Sequence, residues 1–242
     1  MITVMTTAMG ITTMDELGGP GTLHLLHLLR LVSPALPVGA YSYSRGLEYA
    51  VHSGAVTDED SARTWICGVA ARSLCSLDVP VLGRLMDAWE AGEEPAVRRW
   101  NDYLFASRES RELQLEEAQM GAALARLLRD LGVERAAPWV RESRGGYPTM
   151  FALAASHHGI GVRQAQAGYV YAWVESQASA AMRLVPLGQT SGQRILSAAI
   201  EAMPAWLTAA AQCPDDALGN LAPGLAMMSA RHETQYSRLF RS

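Results

Sequence analysis

Apolar residues recur at helical spacing along most of the chain, and the clearest stripe lies between Ser107 and Leu131. Its members are three, four or seven residues apart: Leu113, Met120, Leu124, Leu127 and Leu131. This spacing puts side chains on one face of an α-helix. Arg108 and Glu112, four residues apart, are expected to pair on its polar side. The pattern therefore predicts a long amphipathic helix over 107–131 that ends at Gly132.

Prolines, glycines and acidic residues divide the remaining chain into further helices. Ser33–Gly39 holds two prolines, which cannot donate backbone hydrogen bonds, so a break is expected there. A helix is predicted after the acidic Thr57–Asp60, two more carry Pro80 and Pro95 in their first turns, and Arg135–Gly146 is predicted to be a loop. The other predicted helices cover Leu23–Val32, Tyr43–Ser53, Pro148–His158, Val162–Leu184, Gly188–Ala202, Pro204–Ala211, Asp215–Leu221 and Leu225–Thr234.

No series of strands with turn signals and no internal repeat interrupts this helical pattern. We therefore expect an all-α fold, a single compact multi-helix domain of about ten helices over residues 22–242. Residues 1–21, rich in Thr, Met and Gly, are expected to form a flexible N-terminal extension.

Composition and charge narrow the class of protein. The 242 residues are 49% hydrophobic and 18% charged, which favours a sizeable core over a disordered chain. A net charge of −4 argues against a nucleic-acid partner bound by bulk charge. The N-terminus lacks a basic region followed by a long apolar run, and no uninterrupted apolar stretch is long enough to predict a membrane span. Three cysteines (Cys67, Cys75 and Cys213) suggest reduced thiols and a cytoplasmic location.

Candidate catalytic groups are few. Glu109, Glu112 and Glu116 fall on one face of the long predicted helix, and grouped carboxylates can do acid–base work. Because Arg108 and Arg111 lie between and beside them, a solvated, salt-bridged face is the favoured interpretation. A helical-bundle hydrolase that uses the three glutamates is the alternative.

The sequence predicts neither a metal site nor a bound cofactor. His157 and His158 are adjacent, so on a helix they point about 100° apart and chelate one metal poorly. Cys67 and Cys75 are too far apart for a zinc knuckle and have no second pair. His232–Glu233 lacks the second histidine of a zincin helix. Gly188–Arg194 lacks the Lys-Ser/Thr of a nucleotide-binding P-loop.

Two internal segments are candidate partner-binding sites. Small residues four apart allow close backbone approach, and glutamines beside them can hydrogen-bond across an interface: Gly188, Gln189, Gly192 and Gln193. A tight crossing of helices within the chain is the alternative. The second segment follows the proline break and contains Tyr41, Ser42 and Tyr43. Tyrosines at such a position either face a partner or pack onto the core from outside.

The last seven residues are the strongest candidate: Tyr236, Ser237, Arg238, Leu239, Phe240, Arg241 and Ser242. Tyr, Phe and Arg are residue types that anchor protein interfaces. A helix here would place Tyr236, Leu239 and Phe240 on one side. We expect this tail to be mobile in the free protein and helical in a partner's groove, so that its deletion leaves the melting temperature nearly unchanged. The alternative is that the tail packs on the chain's own core.

Four blocks together resemble the urease accessory protein UreF family. They are Ser33–Ser44 with Gly46–Glu48, Ala106–Leu113, Val185–Gln193, and His232–Ser242. The blocks keep the family's order and span Leu25 to Ser242. The chain departs from the family mildly, with Gly39–Ala40–Tyr41 in place of the more usual Gly-Gly-Phe.

The resemblance implies a non-enzymatic assembly factor for nickel urease. Members of the family are all-α and tend to form homodimers. They bind the accessory protein UreD, also called UreH, recruit the GTPase UreG and modulate its activity, and support nickel delivery to the urease apoprotein. The family's tail is associated with docking onto the UreD-type partner. A dimeric helical scaffold unrelated to urease is the remaining rival.

Overall fold

A computed structural model describes residues 19–242. The predicted extension therefore lies almost entirely outside the described residues, although its last two residues already belong to the first helix. The α-helices are α1 (Pro20–Leu31), α2 (Leu47–His52), α3 (Glu59–Val69), α4 (Val79–Ala91), α5 (Glu94–Ala106), α6 (Arg111–Asp130), α7 (Ala137–Glu142), α8 (Tyr147–His157), α9 (Val162–Leu184), α10 (Gln189–Ala211) and α11 (Pro223–His232). Over residues 19–242 there is no strand, so the all-α prediction is confirmed.

Helices α3 and α4 form one continuous rod, Glu59–Ala91, through a π-helical segment over Ala70–Asp78. Pro80 lies in the first turn of α4, as predicted, but α4 is not a separate helix, because it continues directly from the wider turns and the missing N–H of the proline falls where the bonding pattern changes. The wide turns also leave carbonyls for a later loop: the N–H of Leu221 donates to Arg72 O at 2.9 Å. This rod is long and apolar enough to cross a membrane, but 72% of its most apolar window is buried inside the fold.

Several predicted boundaries are wrong for identifiable reasons. The helix expected from Tyr43 begins at Leu47, because Arg45 and Gly46 have positive φ angles of 49° and 76°. The helix expected from Ser107 begins at Arg111, because the Ser110 side chain accepts the Leu113 N–H and caps it. Others differ by a turn or less, such as α1, α8 and α11.

Three further segments also differ from the prediction. The supposed loop 135–146 contains a 3-10 turn and α7. Helix α10 runs unbroken through Pro204, where two helices were expected. Only a 3-10 turn over Asp215–Ala217 forms where a helix to Leu221 was expected.

Helix α8 lies at the centre of the fold. Every side chain from Pro148 to Ala155 is buried, as expected for a helix that is apolar on all sides. It packs between α4 and α6. Gly121 of α6 meets the loop that leads into α8 so closely that a Cβ there would overlap the Gly145 carbonyl oxygen. These contacts fix α6, which supplies most of the carboxylates of the site described next.

Candidate partner-binding surface

Helix α11 and the C-terminal tail lie against the start of α2. A Cβ on Gly46 would come within 3.0 Å of the Ser229 backbone nitrogen, so glycine allows α11 to approach this turn closely. The chain then turns after His232 and runs beside the segment Ser42–Ser44. Two backbone hydrogen bonds join them, from Arg241 N to Ser42 O at 2.8 Å and from Ser44 N to Ser242 O at 2.7 Å.

The tail is fixed further by one buried carboxylate, Glu48 of α2. Its Oε1 accepts the N–H of Leu239 at 2.6 Å, and its Oε2 accepts the N–H of Phe240 at 2.9 Å. The Phe240 ring is 5% exposed and lies beneath the Arg183 guanidinium, 4.7 Å from the ring centroid. The expectation of a mobile free tail is wrong, because residues 233–242 form turns and bends in the chain alone, and their amides bond to the body of the protein. The structure instead shows the alternative, a tail packed on its own core.

His232, the last residue of α11, lies between two carboxylates. Its Nε2 is 3.0 Å from Glu48 Oε2, and its Nδ1 is 2.7 Å from Glu112 Oε2. Arg238 of the tail also donates to Glu112, at 2.8 Å. The histidine is fully buried. His232 therefore joins α11, α2 and α6, a role that its position in the sequence does not indicate.

A second ion pair lies under the end of the tail. Arg45 Nε donates to Glu116 Oε1 at 2.6 Å, and the Ser242 hydroxyl donates to Glu116 Oε2 at 3.0 Å. The predicted solvated glutamate face is therefore wrong, since Glu112 and Glu116 are both buried. Glu109 is not on α6 at all, and it accepts a hydrogen bond from Asn220. The three carboxylates thus have separate partners and do not form one acid–base centre.

Arg108 forms a third buried network, where a surface pair with Glu112 was expected. Its guanidinium donates to Asp78 at 2.6 Å and to Glu117 at 2.9 Å. Burial, the largest influence, raises the pKa of the Glu117 carboxyl, and Arg108 opposes this rise. Arg108 precedes the Ser110 cap, so its side chain turns toward the π-helical segment and not along α6.

The predicted contact residues divide into an outer and an inner set. Tyr236 is fully exposed, Tyr41 is 73% exposed and Leu239 is 55% exposed. Arg238 and Arg241 are also exposed. Tyr43 is buried and its hydroxyl donates to Gln119 at 2.6 Å, so it belongs to the core alternative. The residues that face solvent are therefore two tyrosines, a leucine and two arginines, on segments whose backbones are hydrogen-bonded to each other.

The Gly188–Gln193 segment behaves differently at its two glycines. Gly192 is buried, and a Cβ there would overlap the Met182 side chain of α9, which is a crossing within the chain. Gly188 has no atom within 4 Å of a Cβ position, so the expected close approach there is wrong. Gly188, Gln189 and Gln193 are exposed. This end of α10 therefore offers polar side chains to solvent.

Within residues 19–242, no three His, Cys, Asp or Glu side chains are grouped to hold a metal ion. His157 and His158 lie instead beside α1, where the His158 ring stacks on His27 with centroids 3.8 Å apart. Burial and the neighbouring His27 lower the pKa of His158 to about 4.

Comparison with known proteins identifies the family of this chain. The UreF family model matches residues 56–200, more than half of the chain. Urease accessory protein UreF 2 of Brucella anthropi is 51% identical over 91% of this chain and 97% of its own length. The UreF proteins of Alkalilimnicola ehrlichii and Teredinibacter turnerae are 46% and 48% identical over 89% and 90% of this chain, and over 94% and 98% of their own lengths. The chain belongs to the UreF family of urease accessory proteins.

Proposed function

We propose that this chain is a non-enzymatic, cytoplasmic assembly factor that supports urease maturation by binding a UreD/UreH-type accessory protein and the UreG GTPase. The observation that carries the proposal is the tail surface, where Tyr236 and Leu239 face solvent from a backbone fixed by Glu48. In this account nickel is the cargo of the assembly and its destination is the urease apoprotein. GTP binding and hydrolysis belong to the GTPase, whose activity this chain modulates.

The tail surface suits the UreD/UreH-type partner. Its backbone is already ordered, so binding requires little loss of conformational freedom. Tyr236 supplies a large exposed ring, and Arg241 supplies an exposed cation five residues further along the tail. These residue types anchor interfaces, and the arginines favour an acidic groove on the partner. The exposed Gln189 and Gln193 at the start of α10 form a separate polar contact for a further component of the assembly.

Loss of the outer tail side chains is expected to stop urease activation in cells. The double variant Tyr236→Ala/Leu239→Ala, in cells that otherwise express urease and all accessory proteins, should lower urease activity and its nickel content at least tenfold. Leu131→Ala is a matched control, because Leu131 is equally exposed at the far end of α6. Full activation by a double variant that accumulates normally would contradict the proposed role of this surface.

We also propose that the homodimer forms through α1. Leu23, Leu25, Leu26 and Leu29 are each 54–56% exposed, while Leu28 and Leu31 of the same helix pack on the body. A helix that is apolar on both sides is normally covered on both. Among the described side chains of α1, Arg30 in the last turn is the exposed charged one, so two copies of this face can pair without burying an unpaired charge.

The variant Leu25→Glu/Leu29→Glu is expected to be monomeric, because pairing would bring like charges into an apolar contact. Light scattering after gel filtration gives the mass directly. Leu131→Glu should leave a dimer intact, since it places the same charge on a different exposed leucine. A dimer that survives the double change would place the interface elsewhere.

A further inference from the structure

A small cavity of about 50 Å³ lies between α6, α9 and the loop before α2, next to the Glu116 carboxylate that accepts the Ser242 hydroxyl. Its lining includes both members of the Arg45–Glu116 pair and, from α9, Trp173 and Gln177. Two atoms of these lining residues are buried without a hydrogen-bond partner, the Trp173 indole Nε1 and the Gln177 Oε1. Gln177 is 2% exposed.

Such unpaired atoms indicate a ligand, because a buried polar group without a hydrogen-bond partner destabilises the folded state. Here one unpaired atom is a donor and the other is an acceptor. Trp173 and Gln177 are four residues apart on α9, so both present their polar ends on the same side of the helix. A molecule that satisfies both must accept one hydrogen bond and donate another.

The charge of the cavity narrows the class of ligand. Arg45 and Glu116 form an ion pair at 2.6 Å, and their charges cancel locally. A bound anion or cation would therefore lack a counter-charge in the lining, whereas a neutral molecule would not. The Arg45 guanidinium uses Nε on Glu116, and its two terminal amino groups are further donors of this lining residue.

We propose that this cavity is a binding site for ordered water, held by Trp173, Gln177 and the Arg45–Glu116 pair. A single water molecule needs about 10–15 Å³ of cavity volume and two to four polar partners. The cavity of about 50 Å³ therefore has room for a small cluster of water molecules. The same Glu116 accepts the Ser242 hydroxyl. The water therefore supports the ion pair on which the end of the tail rests, and it links α9 to the tail surface.

The direct test is a magnetisation-transfer NMR measurement between water and indole N–H groups in the full-length protein. The Trp173 indole resonance, assigned by its loss in Trp173→Phe, should show a water cross-peak typical of a long-lived bound molecule. Addition of sodium chloride should not shift this resonance in a saturable way. Absence of the cross-peak overturns the proposal, and saturation by chloride would mean that the cavity binds an anion.

The melting temperature supplies a second test, because a water-filled cavity and a dry cavity predict changes of opposite sign. If the cavity holds water, Gln177→Leu removes a partner of that water, and the melting temperature should fall by about 3 °C or more. If the cavity is dry, the same change removes an unpaired acceptor, and the melting temperature should rise. Gln212→Leu, at an exposed position directly after α10, is the matched control and should leave the melting temperature unchanged. A rise for both Gln177→Leu and Trp173→Phe overturns the proposal.

Discussion

Replacing Arg108 with methionine is expected to lower the free energy of unfolding by about 3–5 kcal/mol. The change leaves the carboxylates of Asp78 and Glu117 buried without their cation, at side-chain exposures of 0% and 1%. Domains of ordinary stability unfold with about 5–15 kcal/mol, so the loss takes a large share of the total. Urea denaturation followed by circular dichroism gives the free energy, provided that the slope with urea is unchanged.

Arg98→Met is the control for this prediction. Arg98 also pairs with two carboxylates, Glu94 and Glu142, but all three side chains are at least 39% exposed. Pairs of this kind contribute about 0–1 kcal/mol. Equal losses in the two variants would show that the buried network around Arg108 does not hold α6 to the π-helical segment.

Phe240→Ala is expected to lower the free energy of unfolding by about 3 kcal/mol, which corresponds to about 10 °C in melting temperature. The ring is 5% exposed and fills a site between the Arg183 side chain and the core. Its loss also releases the tail, since little else apolar in the last seven residues is buried. In hydrogen exchange, the amides of Leu239 and Phe240, which now donate to Glu48, should lose their protection.

Leu239→Ala is the neighbouring control, because its side chain is 55% exposed and its amide bond to Glu48 is unaffected. It should change the melting temperature by no more than a few degrees. Deletion of Tyr236–Ser242 should resemble Phe240→Ala, which reverses the expectation drawn from the sequence. If the Phe240→Ala variant has the melting temperature of the wild-type protein, the tail does not pack on the core of its own chain.

Helix formation was predictable from the sequence because apolar spacing repeats over long segments. Val162–Leu184 was predicted with the bounds that α9 has in the structure. The errors occur where a local signal was overridden by the surrounding fold. Pro80 follows a π-helical segment that no spacing rule indicates, and Pro204 is accommodated inside α10. The positive φ of Arg45, 49°, moves the start of α2 to Leu47, and an arginine gives no indication of this conformation in the sequence.

The sequence predicted the tail and the Tyr41 segment as two separate partner-binding sites and gave no sign of their contacts. Nothing local indicates that the two segments are neighbours, that Glu48 accepts two tail amides or that His232 lies between Glu48 and Glu112. Those contacts join residues more than a hundred positions apart. Charged residues with helical spacing normally indicate a solvated face, and here burial of Glu112 and Glu116 depends on cations supplied by distant segments.

Direct binding to a purified UreD/UreH-type accessory protein tests the central claim, that the outer tail surface is a docking site. Tyr236→Ala removes a fully exposed ring, so the variant should have the same melting temperature as the wild-type protein. Titration calorimetry should nevertheless show its affinity reduced about thirtyfold, the loss of about 2 kcal/mol that an interface anchor supplies. A Tyr236→Ala protein that is fully folded and binds this partner with wild-type affinity would contradict the claim.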